Sequence, residues 1–89
     1  NNNTSIRFSL HDEAGSLMKT TQLFARNDIS LTKIQSRPLR NRPWEYLFYV
    51  DFLGHIEDKV VERVLKILGK RTLLFRVLGS YPEQGLKQS

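Results

Sequence analysis

Few side chains in this sequence are placed to do chemistry. The two histidines, His11 and His55, stand far apart, each beside a loop. Asp12 and Glu13 follow His11, but adjacent side chains do not converge, and the trio reads as a polar acidic loop. His55 and Asp58 have a spacing that could put two ligands on one helical face. A metal site needs a third and a fourth ligand nearby, so the pair reads instead as the acidic start of a helix. Neither a Gly-x-Gly-x-x-Gly nor a Walker pattern occurs, and no acid–base constellation is found. No catalytic residue, metal or cofactor is therefore expected. The remaining candidate is Gly15-Ser16-Leu17, opening a predicted helix. The first N–H groups of a helix lack internal partners, and the dipole there favours an anion. A glycine lets a ligand come close to the backbone, so a free carboxylate suits the place. On spacing alone, a glycine that merely turns the loop is the simpler reading.

The elements that must hold these residues follow from periodicity. Thr4 to Leu10 alternates, with Ile6, Phe8 and Leu10 on one face and Ser5, Arg7 and Ser9 on the other, which predicts a half-buried strand. The loop 11–15 leads to a helix over 16–26, with Leu17, Thr21 and Phe24 on one stripe and Met18 and Ala25 beside it. A strand over 28–38 follows, rich in β-branched and apolar residues and stopped by Pro38. A loop over 39–43 joins it to a β-prone run, Trp44–Phe52, in which Tyr46, Phe48, Val50 and Phe52 share a face. The clearest helix places Ile56, Val60, Val61, Val64, Leu65 and Leu68 at three- and four-residue spacings. Glu57 and Asp58 stand at its positive end, and Gly69 is placed as its C′ cap. Leu73–Leu78 is a last strand, with Leu73, Phe75 and Val77 on one face, and Gly79–Pro82 ends it. Residues 1–3 and 83–89 read as flexible ends around one domain, 4–82. Two helices with one apolar stripe each must lie on the same side of one antiparallel sheet. The expected fold is α+β: a ferredoxin-like βαββαβ sandwich with a four-stranded antiparallel sheet.

With 89 residues the chain allows one small domain, which gains from association. The absence of cysteine excludes disulfides and thiolate metal sites, and no apolar run approaches a membrane span. Fourteen Lys and Arg against nine Asp and Glu give +5, which admits nucleic acid as a partner but is also what a solvated surface carries. Tyr49-Val50-Asp51-Phe52 mimics half of an RNA-recognition motif. Glu45, Tyr46 and Phe48 occupy its basic and small positions, so neither nucleic acid nor membrane is expected as a partner.

Three stretches carry a family resemblance that spans Thr4 to Pro82. Gly15-Ser16-Leu17 is similar to a Gly-Ala-Leu motif, Gln35-Ser36-Arg37-Pro38 to a Glu-Ser-Arg-Pro motif, and Leu78-Gly79-Ser80-Tyr81-Pro82 to a closing segment. The sequence thereby resembles the amino-acid-sensing ACT domain of prephenate dehydratases. Ser30-Leu31-Thr32 stands where that family often has Asn-Leu-Thr. The regulatory domain of phenylalanine hydroxylase has similar first two motifs, but the closing segment and the run Glu45–Phe52 favour the dehydratases. The resemblance implies an L-phenylalanine pocket between two ACT domains, hence a homodimer. Leu17 and Leu31 would wall the phenyl ring, and Ser30 and Thr32 would meet its polar end. Gly15 and Ser16 would line the helix start, with Gln35, Ser36 and Arg37 alongside. Gln35 keeps an acceptor where the family has a carboxylate, without the charge. The resemblance also implies a catalytic dehydratase domain upstream, whose Thr-Arg-Phe motif is not the Arg7-Phe8 found here, after Ile6. It further implies a cytoplasmic location, or a plastid in a plant.

Overall fold

The computed structural model describes residues 2–82. Its order is β1 (Asn2–Leu10), α1 (Glu13–Arg26), β2 (Leu31–Leu39), β3 (Arg42–Leu53), α2 (Lys59–Arg71) and β4 (Leu74–Pro82). The four strands form one antiparallel sheet in the order β2-β3-β1-β4. This is the expected βαββαβ architecture. Thr4, Ile6 and Phe8 alternate inward from β1, and Phe48, Val50 and Phe52 from β3, all fully buried. Leu23 and Phe24 of α1 and Val61, Val64, Leu65 and Leu68 of α2 join them in one core, so both helices cover the same face.

Several boundaries differ from those expected. β1 begins at Asn2, whose carbonyl accepts a hydrogen bond from Gly54 N at 2.7 Å and which pairs with Pro82. α1 begins at Glu13 with Asp12 as its N-cap, because Ser16 N already donates to Asp12 O at 2.9 Å. Its buried stripe is Thr20, Leu23 and Phe24, while Leu17 and Met18 stay exposed. The hairpin turn is only Arg40-Asn41, and both prolines lie within strands. Pro38 is tolerated because β2 is an edge. Pro43 is tolerated because β3 has run past β1, whose register with it stops at Leu10 opposite Tyr46. Ile56 precedes α2, which Asp58 caps.

β4 runs on through Gly79, at φ +156°, where the register with β1 shifts between Ser5 and Ile6. Such a bulge suits glycine. Of the expected face Leu73-Phe75-Val77, only Phe75 packs on the core, since β4 is an edge and the other two stay exposed. The tail expected over 83–89 lies outside the described residues.

Gly69 does not cap α2 but lies inside it, and the helix ends at Arg71 with Thr72 as C-cap. A Cβ at Gly69 would meet the Phe75 ring at 3.8 Å, an ordinary contact. Gly69→Ala should therefore raise stability by about 0.5–1 kcal/mol, through helix propensity and a less flexible unfolded chain. Urea unfolding checks this, and a midpoint that falls would show that the helix needs a glycine there.

Candidate functional site

Gly15 is the third residue of α1 and is half-buried, with Ser16 beside it and Leu17 exposed. The N–H groups of Glu13, Ala14 and Gly15 precede the first helical donor, Ser16 N, which bonds to Asp12 O, and Asp12 makes no side-chain capping bond to them. A Cβ at Gly15 would run into the Asp12 carboxylate, the far end of a flexible side chain. Asp12 thus hangs over the helix start and is free to swing away from it. Ser16 also borders a cavity of about 650 Å3 between the helices, near Leu10, Thr20 and Leu68.

Alternation along β2 sorts the other predicted site residues. Ser36 pairs with Phe48 and points to the helix side, where its hydroxyl donates to Glu13 Oε2 at 2.6 Å. This ties the second motif to the helix start. Glu13, which the sequence reads as part of an acidic loop, is brought to this contact by the fold. Gln35 and Arg37 pair with Tyr49 and Leu47 on the opposite face, away from α1. Arg37 lies over the Tyr49 ring at 5.7 Å. In one chain, then, Gln35 and Arg37 do not join Gly15, Ser16 and Leu17.

Ser30, Leu31 and Thr32 lie beyond the far end of α1. Asp28, at φ +56°, turns the chain there, in a left-handed conformation that aspartate tolerates. Ser30 is exposed, and its carbonyl accepts from Leu53 N at 2.9 Å. Leu31 packs against the core, and Thr32 Oγ1 donates to Asn3 Oδ1 at 3.3 Å. Gly15 lies eleven residues before the end of α1 at Arg26, about 17 Å at 1.5 Å per residue, and this group lies beyond that end. One chain therefore does not bring the two halves of the predicted site together.

His55 and Asp58 form a helix-entry turn: His55 N donates to Asp58 Oδ2, and Glu57 N to His55 Nδ1, each at 3.0 Å. Among the described residues no three His, Asp or Glu side chains gather as a metal site requires. No helix there is long and apolar enough to cross a membrane.

The sequence matches the ACT domain family over residues 4–70. The chain belongs to that family. This ACT domain is 46% identical over 85 residues to a bifunctional chorismate mutase/prephenate dehydratase of Aquifex aeolicus, covering 96% of the chain and 24% of that protein. It is also 46% identical to arogenate dehydratase/prephenate dehydratase 2, chloroplastic, of Arabidopsis thaliana, covering 89% of the chain and 23% of that protein. The chain thus spans about a quarter of the length of these relatives. Among solved structures it resembles the prephenate dehydratase of Arthrobacter aurescens in complex with L-Phe. The TM-score is 0.82 at 31% identity, covering 92% of this chain and 27% of that one.

Proposed function

We propose that this ACT domain is the effector-sensing part of a prephenate or arogenate dehydratase, and that it binds L-phenylalanine at a seam between two copies. The similarity to dehydratases, one of them in complex with L-Phe, supports the ligand. The observation that carries the seam is the separation of Gly15-Ser16-Leu17 from Ser30-Leu31-Thr32 by most of the length of α1. A twofold that sets two such chains antiparallel puts the helix start of one beside the β2 start of the other. The free N–H groups at Glu13, Ala14 and Gly15 then receive the ligand carboxylate, with Asp12 turned aside. Exposed Leu17 offers apolar wall, and Ser30 of the second copy meets the polar end. Ser36 holds Glu13 in place rather than touching the ligand. In the parent enzyme such a site favours one arrangement of two subunits, and so acts on a catalytic domain elsewhere in the chain. As part of such an enzyme, it would work in the cytoplasm, or in a plastid if the source is a plant.

Saturating L-phenylalanine should raise the melting temperature and shift sedimentation toward a dimer. At one hundred times Kd the gain is about 2.7 kcal/mol, or roughly 4–8 °C for each of those kcal/mol in a domain this size. D-phenylalanine should do neither. Gly15→Val should keep the fold, since Asp12 yields, and lose the response by blocking close approach. A flat response at millimolar L-phenylalanine, or Gly15→Val that binds normally, would sink this reading.

A further inference from the structure

The helix-free face of the sheet holds a second concavity, at its hairpin end, that the effector site does not use. Arg7 and Ser9 of β1, Glu45 and Leu47 of β3, and Leu74 of β4 border a cavity of about 550 Å3, within the usual range for small-molecule sites. Ser9 belongs to the polar face of β1, yet it is only 1% exposed, flanked by Leu47 and Leu74, which oppose it on either side. Among the described residues its hydroxyl has no hydrogen-bond partner, and neither does the buried Nε of Arg7. Unmatched buried polar groups are costly, and here two lie in one wall.

The charges point the same way. Arg7 stands directly opposite Arg76 across β1 and β4, a repulsive cross-strand pair. Arg40 and Arg42 of the hairpin also border the cavity. Its carboxylate, Glu45, is 6% exposed and already paired with Arg42 Nη1 at 3.4 Å. The cavity thus presents arginines in excess, a donor hydroxyl and leucine walls.

We propose that this cavity binds a small monocarboxylate with an apolar arm. Its carboxylate sits on the Arg7 guanidinium and accepts from Ser9 Oγ, and its arm lies on Leu47 and Leu74. Such an anion matches the unpartnered donors and screens Arg7 from Arg76. Glu45 disfavours a second acidic group on the ligand, which is why a monoacid fits. This site is independent of the effector reading.

The test titrates 4-methylpentanoate into the isotope-labelled chain, with 4-methylpentanamide as the uncharged control, and follows backbone amides by NMR. The acid should shift the amides of Arg7, Ser9, Leu47 and Leu74 saturably, and the amide compound should not. Arg7→Gln, which also relieves the repulsion with Arg76, should weaken binding roughly tenfold through the lost charge-assisted bond. Ser9→Ala should raise the melting temperature of the free protein, by removing an unmatched hydroxyl, and yet weaken binding. A purely structural Ser9 would give the first effect without the second. Gly15→Val should leave this titration unchanged, so failure here and failure of the effector site are separable. No saturable shift at millimolar acid, equal binding of the amide compound, shifts gathered at Gly15–Leu17 and Ser30–Thr32 instead, or affinity unchanged in both variants would overturn the proposal.

Discussion

Phe48→Ala should leave this domain only marginally stable at room temperature. Phe48 is fully buried in β3, with β1 and β2 on either side of it. Its ring stacks on Phe8 at 5.3 Å between centroids and 10° between planes. Removing a buried phenyl ring costs about 3–5 kcal/mol, part transfer and part cavity, with the lost ring pairing inside that range. Small domains sit at the low end of a total stability of about 5–15 kcal/mol, so one such loss removes most of it. Phe48→Leu keeps much of the volume and should cost markedly less. Urea titrations of both variants decide the matter. A loss below about 1 kcal/mol for alanine, well under the usual cavity cost, would mean that the Phe8–Phe48 stack does not centre the core.

Gly54→Ala should be the most damaging alanine substitution among the glycines of the described residues. Gly54 follows β3 at φ +140°, a conformation essentially reserved for glycine. An added Cβ would come within 2.9 Å of Val61 Cγ2, a buried side chain on α2 that has no room to retreat. The backbone there is fixed from both sides: Gly54 N donates to Asn2 O, and Gly54 O accepts from Thr4 Oγ1 at 2.5 Å. Strain of about 1–3 kcal/mol and overpacking of about 1–3 kcal/mol point to a combined loss of about 2–6 kcal/mol. A double-mutant cycle with Val61→Ala separates the two, since that change relieves the clash and leaves the strain. Additivity of the two losses would rule out the clash. Because Leu53 N holds Ser30 O one residue before Gly54, the damage should also loosen the β2 end of the proposed effector site.

Most of the architecture was legible because period-2 alternation in β1 and β3 and the apolar stripe of α2 are strong local signals. Tertiary packing moved the remainder. The α1 stripe rotated from Leu17 and Thr21 to Thr20 and Leu23, because it is set by where the helix meets the sheet. Gly69 looked like a cap, but the helix continues past it beside Phe75, a contact that only the fold supplies. The two prolines suggested a long loop. Their tolerance depends on which strand is an edge and where a neighbour stops, and neither is written locally.

For the proposed site, the motifs named the segments, while strand parity sorts their side chains between the two faces of the sheet. One residue of offset puts Ser36 on the helix side and leaves Gln35 and Arg37 across the sheet. Ser9 was unreadable as a buried group, since its burial comes from Leu47 and Leu74 on other strands.

If the effector site is the proposed seam, the distance along α1 between its two halves has a consequence for molecularity. A ligand whose walls belong to different chains is captured in a three-body reaction, so half-saturation depends on protein concentration as well as on the effector. Diluting the chain weakens apparent affinity with no contact altered, and every bound effector opposes subunit dissociation in equal measure. A cell that makes more of such an enzyme also makes each copy respond to less effector.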